Sequence, residues 1–181
     1  MKLETARLVL KPPVEEDIPS IVAVASDWQV AKMVLVPHPY FPSHAQTWIE
    51  QARESWRENG IGALSVFTRQ GQAFIGAIGL KPTTLEGHAS AGYWFCPSVW
   101  GRGFATEALR ELIRYGFEVR KLLRIEAGHL LENTASGRVM EKVGMGHAVR
   151  VDLPHRDDPS ATVSGIMRYI HAWEWEALKA A

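Results

Sequence analysis

Gly101, Arg102 and Gly103 stand directly before a stretch whose apolar residues recur with helical spacing. Glycines allow backbone N–H groups to approach an anion closely, and the first turn of a helix supplies unpaired N–H donors at the positive end of its dipole. Arg102 adds a positive charge, and Thr106 adds a hydroxyl donor. Together these residues predict a phosphate-binding loop at the start of a helix.

Three kinds of phosphate site can be compared with this loop. A P-loop requires Gly, four residues and then Gly-Lys-Ser/Thr, a string that the sequence lacks. A dinucleotide-binding fold requires a third glycine where Thr106 stands, although Glu126 lies near the expected place of its acidic residue. Too short a segment follows the loop for a second mononucleotide-binding half. The pyrophosphate of coenzyme A is therefore favoured, and a dinucleotide-dependent oxidoreductase is a distant alternative.

The elements that position this loop mix strands with helices. Alternating and helical patterns predict the order strand, two helices, three strands, helix, strand, helix, two strands. The strands are expected near residues 7–11, 63–68, 74–80, 89–95, 122–127, 147–153 and 163–170. The helices are expected near residues 15–25, 43–59, 105–119 and 133–142. We expect one mixed α/β (α+β) domain over residues 1–181.

The composition is that of a globular protein, with 46% hydrophobic and 22% charged residues in 181. Lys and Arg together equal Asp and Glu in number, and the net charge of zero argues against a broad contact with nucleic acid or an anionic membrane. The single cysteine, Cys96, cannot form an internal disulfide and favours a reducing compartment. We expect a cytoplasmic protein with no signal peptide, membrane span or metal site.

Two longer strings carry a family resemblance. Gly92-Tyr93-Trp94-Phe95-Cys96-Pro97, followed by Trp100-Gly101-Arg102-Gly103-Phe104-Ala105-Thr106-Glu107-Ala108, resembles the acetyl-CoA signature of the GNAT superfamily. It is more narrowly similar to the RimJ/RimL-type branch, which acetylates ribosomal-protein N-termini and other amines. Residues 132–145 resemble the Asn-x-x-Ser helix of that branch, and residues 3–10 resemble its opening strand.

The resemblance implies a GNAT-like fold with a central, mostly antiparallel, splayed sheet of about seven strands and about four helices. It also implies that coenzyme A lies between the strand through Phe95 and the strand through Glu126. The implied coenzyme-binding residues are Phe95, Cys96, Gly101, Arg102, Gly103, Phe104, Ala105, Thr106, Asn133 and Ser136. Asn133 and Ser136 also have the positions of an ordinary helix cap and first-turn hydroxyl.

Acetyl transfer to an amine requires an unprotonated nucleophile, a polarised thioester carbonyl and a proton for the leaving thiolate. Direct attack in a ternary complex does not require Cys96 as a nucleophile. A backbone N–H near Phe95 is expected to polarise the carbonyl, and Ser136 is the candidate acid that protonates the thiolate. Glu126 is the first candidate for the base, because it interrupts a buried apolar strand. Glu126 can instead pair with Arg124 or Arg150 and have only a structural role. The alternative bases are then a water chain or one of the histidines His88, His129 and His147.

The amine acceptor is the least determined part. Residues 34–48 and 153–162 are expected to wall the acceptor cleft, with Asp157 and Asp158 either drawing a cationic amine or lying in solvent. Trp173 and Trp175 indicate surface anchoring or a homodimer contact. The acceptor is a peptide N-terminal α-amine or a small-molecule amine. Because Ser90 stands where many relatives carry a glutamate, a non-catalytic acyl-CoA-binding module is a further alternative.

Overall fold

The computed structural model describes residues 1–34, 36–155, 158 and 160–180 of the chain. The strands are β1 (Leu3–Glu4), β2 (Leu8–Lys11), β3 (Ala63–Thr68), β4 (Phe74–Pro82), β5 (His88–Phe95), β6 (Arg124–Leu130), β7 (His147–Pro154) and β8 (Thr162–His171). The helices are α1 (Ile18–Ala25), α2 (Trp28–Ala31), α3 (Pro42–Asn59), α4 (Phe104–Arg114), α5 (Thr134–Lys142) and α6 (Ala172–Ala180). A π-helical segment, Tyr115–Val119, continues α4.

All the described strands belong to one sheet with the order β1-β2-β3-β4-β5-β6-β8-β7. Neighbouring strands are antiparallel except for β5 and β6, which run parallel. The predicted mixed α/β architecture with a mostly antiparallel sheet is confirmed. The sequence patterns missed β1 and α2, which have two and four residues and are too short to show a period. They also missed α6, whose Trp175 is buried against Phe117.

The helices lie in two layers. Helices α4 and α5 pack on one face of the sheet, whereas α1 and α3 pack on the other. The main apolar core lies under α4, where the predicted stripe of Ala108, Leu109, Leu112 and Ile113 is fully buried. A smaller second core joins α1 and α3 to the sheet. The sheet is thus covered on both faces along β4, which is the neighbour of β5.

Strand β4 bends near that end. The β3–β4 register shifts between Val66 and Phe67, and a Cβ atom on Gly76 would lie 2.3 Å from the carbonyl oxygen of Trp94. Only glycine allows so close an approach, and a bulge of this kind increases the local twist of a sheet. Strand β5 stays paired with β4 through the bend up to Phe95. Because β5 stays paired with β4, the bend in β4 also sets the direction of the last residues of β5.

Candidate functional site

Strands β5 and β6 form a short parallel pair and then separate. They pair only at His88 with Arg124, Ala89 with Ile125 and Ser90 with Glu126. Strand β5 nevertheless continues to Phe95, and β6 continues to Leu130. We call the opening between residues 91–95 and 127–130 the splay. A crevice at the carboxyl ends of parallel strands is a common ligand site in α/β proteins.

Backbone groups line both edges of the splay. The Cys96 N–H donates to the Ile75 carbonyl oxygen at 2.9 Å, so the alternation of ladder bonds directs the Phe95 N–H and C=O away from β4. On the other edge, the Leu131 N–H donates to the Ser164 carbonyl oxygen at 3.2 Å, which directs the backbone of Gly128 and Leu130 toward β5. Edges of this kind can pair with an amide-containing chain such as the pantetheine arm.

Trp100 occupies part of this edge. Its indole Nε1 donates to the Phe95 carbonyl oxygen at 2.7 Å, so this carbonyl already has a partner. The Phe95 side chain is buried, and the half-buried Cys96 thiol lies 3.1 Å from the Ser98 hydroxyl. The available Phe95 group is therefore its N–H, which is the donor expected to polarise a thioester carbonyl.

The predicted phosphate loop lies between β5 and α4. Gly101 and Gly103 have φ angles of +73° and +81°, a left-handed conformation that favours glycine. Helix α4 begins at Phe104, one residue before the predicted start, and the Gly103 carbonyl oxygen accepts from Glu107 N–H at 3.0 Å. The N–H groups of Phe104, Ala105 and Thr106 precede this first intrahelical bond and remain donors for an anion. The exposed Arg102 stands beside them.

Arg7 bonds both to Glu107 of α4 and to the phosphate loop. The Arg7 Nε donates to Glu107 Oε2 at 2.6 Å, and the Arg7 Nη1 donates to the Arg102 carbonyl oxygen at 3.0 Å. The Thr5 hydroxyl donates to Glu107 Oε1. Burial by itself would raise the pKa of Glu107, but the bonds from Thr5 and Arg7 lower it below its ordinary value overall. Because the Arg102 carbonyl is bound on this side, the loop is fixed in one orientation.

We expect the Glu107→Gln variant to lose stability that depends on pH. A carboxyl group with a lowered pKa stabilises the fold above its unfolded pKa, and this contribution disappears as the pH falls through the folded value. The expected loss is about 1–2 kcal/mol near neutral pH and becomes smaller toward pH 3. Thermal unfolding at both pH values measures it, with Glu50→Gln on the exposed face of α3 as the control. An equal loss at both pH values would contradict the charged role.

Asn133 caps α5 and also bonds to the segment that follows α2. Its Oδ1 accepts from the Ser136 N–H at 3.1 Å, and its Nδ2 donates to the Met33 carbonyl oxygen at 3.3 Å. The cap is the structural role that the sequence allowed for this residue. Both ends of the side chain have protein partners, and the bond to Met33 ties the segment after α2 to the start of α5. A coenzyme contact by Asn133 stays a prediction.

Ser136 contacts a tyrosine to which the sequence assigned no role. The Ser136 Oγ lies 2.8 Å from the Tyr93 hydroxyl, and the Ser136 carbonyl oxygen lies 3.2 Å from it. Tyr93 belongs to β5, on the opposite edge of the splay from α5. Burial raises the pKa of Tyr93 to about 12, against the smaller lowering effect of the Ser136 bond. A tyrosine on the buried face of a strand needs a hydrogen-bond partner, and that need was the available signal.

Glu126 lies at the vertex where the strands separate. It stands opposite Ser90 in the last paired position, and its side chain is 22% exposed. The Arg124 Nη2 donates to Glu126 Oε2 at 2.8 Å, and the Arg124 guanidinium lies 3.8 Å from the centre of the Tyr169 ring. The carboxylate is thus next to the splay, partly accessible and ion-paired. The pairing with Arg124 is one of the arrangements that the sequence left open.

The three candidate histidines lie in different environments. His88 occupies the first paired position of β5. His129 is buried on β6, with its Nδ1 2.8 Å from the Leu130 carbonyl oxygen and its ring against Gly137 of α5. His147 stacks on Tyr169 and lies 2.8 Å from Glu174, on a strand that does not border the splay. His147 thus lies away from the splay, whereas His88 is two residues before Ser90 on the strand that forms the vertex.

The proposed acceptor walls have a mixed composition. Tyr40 and Trp48 belong to the second core, where Trp48 contacts Trp94 of β5. His38 packs against Trp28 with ring centres 5.1 Å apart. Asp157 lies outside the described residues. In the second wall, Asp158 accepts from the Ser160 hydroxyl and N–H, bonds that lower its pKa.

Gly92 leaves an opening on the same face as Trp94. The neighbouring residues Ala89, Ala91 and Phe95 point into the main core, so Gly92 faces the opposite side. It is exposed, and a Cβ atom built on it would have no heavy atom within 4 Å. Because α4 and α5 cover the other face in the described structure, we expect an acceptor to approach the splay from the Gly92 face.

In the part of the chain that the structure describes, no helix is both long and apolar enough to cross a membrane. The described residues also contain no group of three or more His, Cys, Asp or Glu side chains that could hold a metal ion. The site consists of backbone donors, one exposed arginine, hydroxyl groups and a carboxylate. These are groups that bind phosphate and move protons.

Comparison with known proteins agrees with this chemistry. A family model described as an acetyltransferase (GNAT) domain matches residues 7–146. The uncharacterized N-acetyltransferase p20 of Bacillus licheniformis is 32% identical over 142 residues, which cover 78% of this chain and 80% of that protein. The FsC-acetyl coenzyme A-N(2)-transacetylase of Aspergillus fumigatus is 31% identical over 185 residues, which cover 96% of this chain and 77% of that protein.

Solved structures have the same fold. A GNAT-family acetyltransferase from Bacillus anthracis superposes with a TM-score of 0.79, covering 96% of this chain and 99% of that chain at 24% identity. A RimL ribosomal-protein acetyltransferase in complex with coenzyme A superposes with a TM-score of 0.74, covering 94% and 98% of the two chains at 14% identity. At these identities the structural likeness shows the fold alone.

Proposed function

Because the chain belongs to the GNAT acetyltransferase family, we propose that this N-acyltransferase transfers an acetyl group from acetyl-CoA to a primary amine by direct attack in a ternary complex. The observation that carries the proposal is the splay between β5 and β6. Its edges present backbone N–H and C=O groups, the phosphate loop follows β5, and the Ser136 hydroxyl follows β6.

The donor would lie along the splay with its pyrophosphate at the start of α4. The N–H groups of Phe104, Ala105 and Thr106 and the Arg102 guanidinium supply the donors for it. The strand edges hold the amide-rich arm, which places the thioester near Phe95 and Ser136. Cys96 and Asn133 would also contact the coenzyme. Cys96 directly follows the end of β5, and Asn133 is the cap residue at the start of α5.

The chemistry follows from these positions. The amine nitrogen attacks the thioester carbon, the C–N bond forms, and the Phe95 N–H stabilises the oxyanion. Glu126 accepts the proton that the attacking nitrogen loses and passes it to solvent. The C–S bond then breaks, its electron pair stays on sulfur, and the Ser136 hydroxyl donates a hydrogen bond to the thiolate. The thiol of coenzyme A has a pKa near that of ordinary thiols, so the released thiolate can take a proton from solvent.

Two acceptor classes deserve direct comparison. The relative that matches 96% of this chain is named FsC-acetyl coenzyme A-N(2)-transacetylase, and this name, which mentions no protein acceptor, favours a small-molecule amine. The resemblance of residues 92–108 and 132–145 to the RimJ/RimL-type branch favours a protein N-terminal α-amine instead, and a RimL ribosomal-protein acetyltransferase shares the fold. One GNAT fold serves many acceptors, so the fold does not choose between the two classes. The single cysteine favours a reducing compartment, and we propose the cytoplasm.

The proposal is tested by binding and turnover. Calorimetry should detect acetyl-CoA binding and no binding of NAD. Release of free thiol, followed with a panel of peptides and small amines, should identify the acceptor class. Binding of acetyl-CoA without thiol release across a broad panel would support a non-catalytic module, and binding of NAD alone would overturn the proposal.

Arg102→Ala is expected to raise the Kd of acetyl-CoA by about tenfold or more, since charge-assisted bonds contribute about 1.5–3 kcal/mol. The salt dependence of binding should weaken in parallel. Arg110→Ala is the matched control, because Arg110 is exposed on the same helix but bonds to the Lys142 carbonyl oxygen. Calorimetry at low and high salt measures both variants. Equal affinities for Arg102→Ala and the wild type would assign phosphate binding to the backbone donors alone.

A further inference from the structure

Tyr93 reaches from one edge of the splay to the helix on the other edge. It alternates with Ala91 and Phe95 on the face of β5 that α4 and α5 cover. Its hydroxyl ends beside Ser136 in the first turn of α5, 2.8 Å from Oγ and 3.2 Å from the carbonyl oxygen. The side chain thus bridges the two elements that separate at the splay, directly behind the Ser136 hydroxyl.

The hydrogen count of this pair allows two arrangements. A tyrosine and a serine hydroxyl each carry one hydrogen and can each accept. If Tyr93 donates to the Ser136 carbonyl oxygen, the Ser136 hydrogen points back at Tyr93. If Tyr93 donates to the Ser136 Oγ, the Ser136 hydrogen is free to point into the splay. A thiolate in the splay favours the second arrangement, because bonds to charged acceptors are the stronger ones.

We propose that Tyr93 is a positioning residue, which holds the Ser136 hydroxyl so that its hydrogen points at the leaving thiolate of coenzyme A. This inference rests on the proposed function. When the C–S bond breaks, the electron pair stays on sulfur, and neither Tyr93 nor Ser136 gives up its proton. Burial raises the pKa of Tyr93 to about 12, so the phenol stays protonated and remains a donor throughout the neutral range.

The test reads the thiol pKa of bound coenzyme A from the ultraviolet absorbance of the thiolate across a pH titration. This readout needs binding but no turnover. Ser136→Ala should raise the bound thiol pKa by about one unit, and Tyr93→Phe by about half a unit to one unit. The double variant should match Ser136→Ala alone, because the two hydroxyls act in series. We expect the Kd of coenzyme A to change little in these three variants.

Tyr115→Phe is the matched control. The Tyr115 hydroxyl is another buried phenol, and it donates to the Gly60 carbonyl oxygen at 2.8 Å, away from the splay. Its removal should leave the bound thiol pKa unchanged. A second measurement avoids the risk that Tyr93→Phe fails to fold: biosynthetic 3-fluorotyrosine makes every phenol a stronger donor and should lower the bound thiol pKa in the wild type.

The outcomes separate this inference from the proposed function. Failure of the wild type to bind coenzyme A would overturn both. Binding with a thiol pKa that neither Tyr93→Phe nor 3-fluorotyrosine changes would overturn only the role of Tyr93. Shifts in the two expected directions, together with an unchanged Tyr115→Phe variant, would support it.

Discussion

Glu126→Gln is expected to lower kcat by about 10²–10⁴-fold at saturating acetyl-CoA, which is the range that general-base catalysis contributes. The proposed task of Glu126 is to accept the proton that the attacking amine loses, and an amide cannot accept it. Its position supports the task, since the carboxylate lies at the vertex of the splay opposite Ser90 and is 22% exposed. Partial exposure allows the proton to pass on to solvent. Thiol release with the best acceptor from the panel measures kcat.

Two further variants test whether a loss of kcat in Glu126→Gln comes from the carboxylate itself. Glu132→Gln removes an exposed carboxylate just beyond β6 and should leave kcat unchanged. Arg124→Met removes the ion-pair partner of Glu126 while the carboxylate stays, and should keep kcat within about fivefold of the wild type. A large loss in Arg124→Met with a small one in Glu126→Gln would reverse the assignment. An unchanged kcat in Glu126→Gln would remove Glu126 as the base and favour a water chain.

The phosphate loop illustrates what a sequence can predict. Gly101, Arg102 and Gly103 are adjacent, and their backbone conformation depends on residues within one turn of α4. Local propensity therefore decided the outcome, and the predicted start of the helix differs from the observed one by a single residue. The strands around the loop also lie where their apolar patterns predicted them, although β4 is buried on both faces and does not alternate. The use of the loop by a ligand stays a prediction.

The long-range contacts beside the phosphate loop and the splay could not be predicted in the same way. Tyr93 and Ser136 are 43 residues apart, and Arg7 and Glu107 are 100 residues apart. Each pair meets only because the helices pack on the sheet in one particular arrangement, with α4 next to β2 and the start of α5 next to β5. A pattern within one element does not contain this information. It shows only that Tyr93 lies on a buried face and requires some partner.

The aromatic residues show a second kind of limit. Tyr40 and Trp48 were expected in an acceptor wall, yet they pack in the core between α1, α3 and the sheet. Trp175 was paired with Trp173 as a surface contact, but Trp175 is 7% exposed and Trp173 is 69% exposed. An aromatic side chain has the same sequence signal when it packs and when it recognises a ligand. Only the tertiary contacts separate the two cases.

Gly92→Val is expected to lower kcat/KM for the amine by about 100-fold or more while the Kd of acetyl-CoA stays within about twofold. Gly92 lies on the open face of β5, beside the route that we propose for the amine to the thioester. A Cβ atom there meets no heavy atom within 4 Å, so valine fits the folded chain but narrows this route. Valine is also favoured in strands, so thermal stability should not fall. Steady-state kinetics with varied amine, calorimetry with acetyl-CoA and thermal unfolding measure the three quantities.

The matched control for this variant is Gly146→Val. Gly146 is exposed between α5 and β7, and the nearest heavy atom to its built Cβ lies at 3.9 Å. It should therefore accept valine with little effect on the amine kinetics. Gly92→Ala should give an intermediate loss, because one methyl group narrows the opening less than an isopropyl group. A graded loss in kcat/KM with unchanged coenzyme affinity would assign the Gly92 face to the acceptor. Full activity in Gly92→Val would contradict entry of the amine along the Gly92 face.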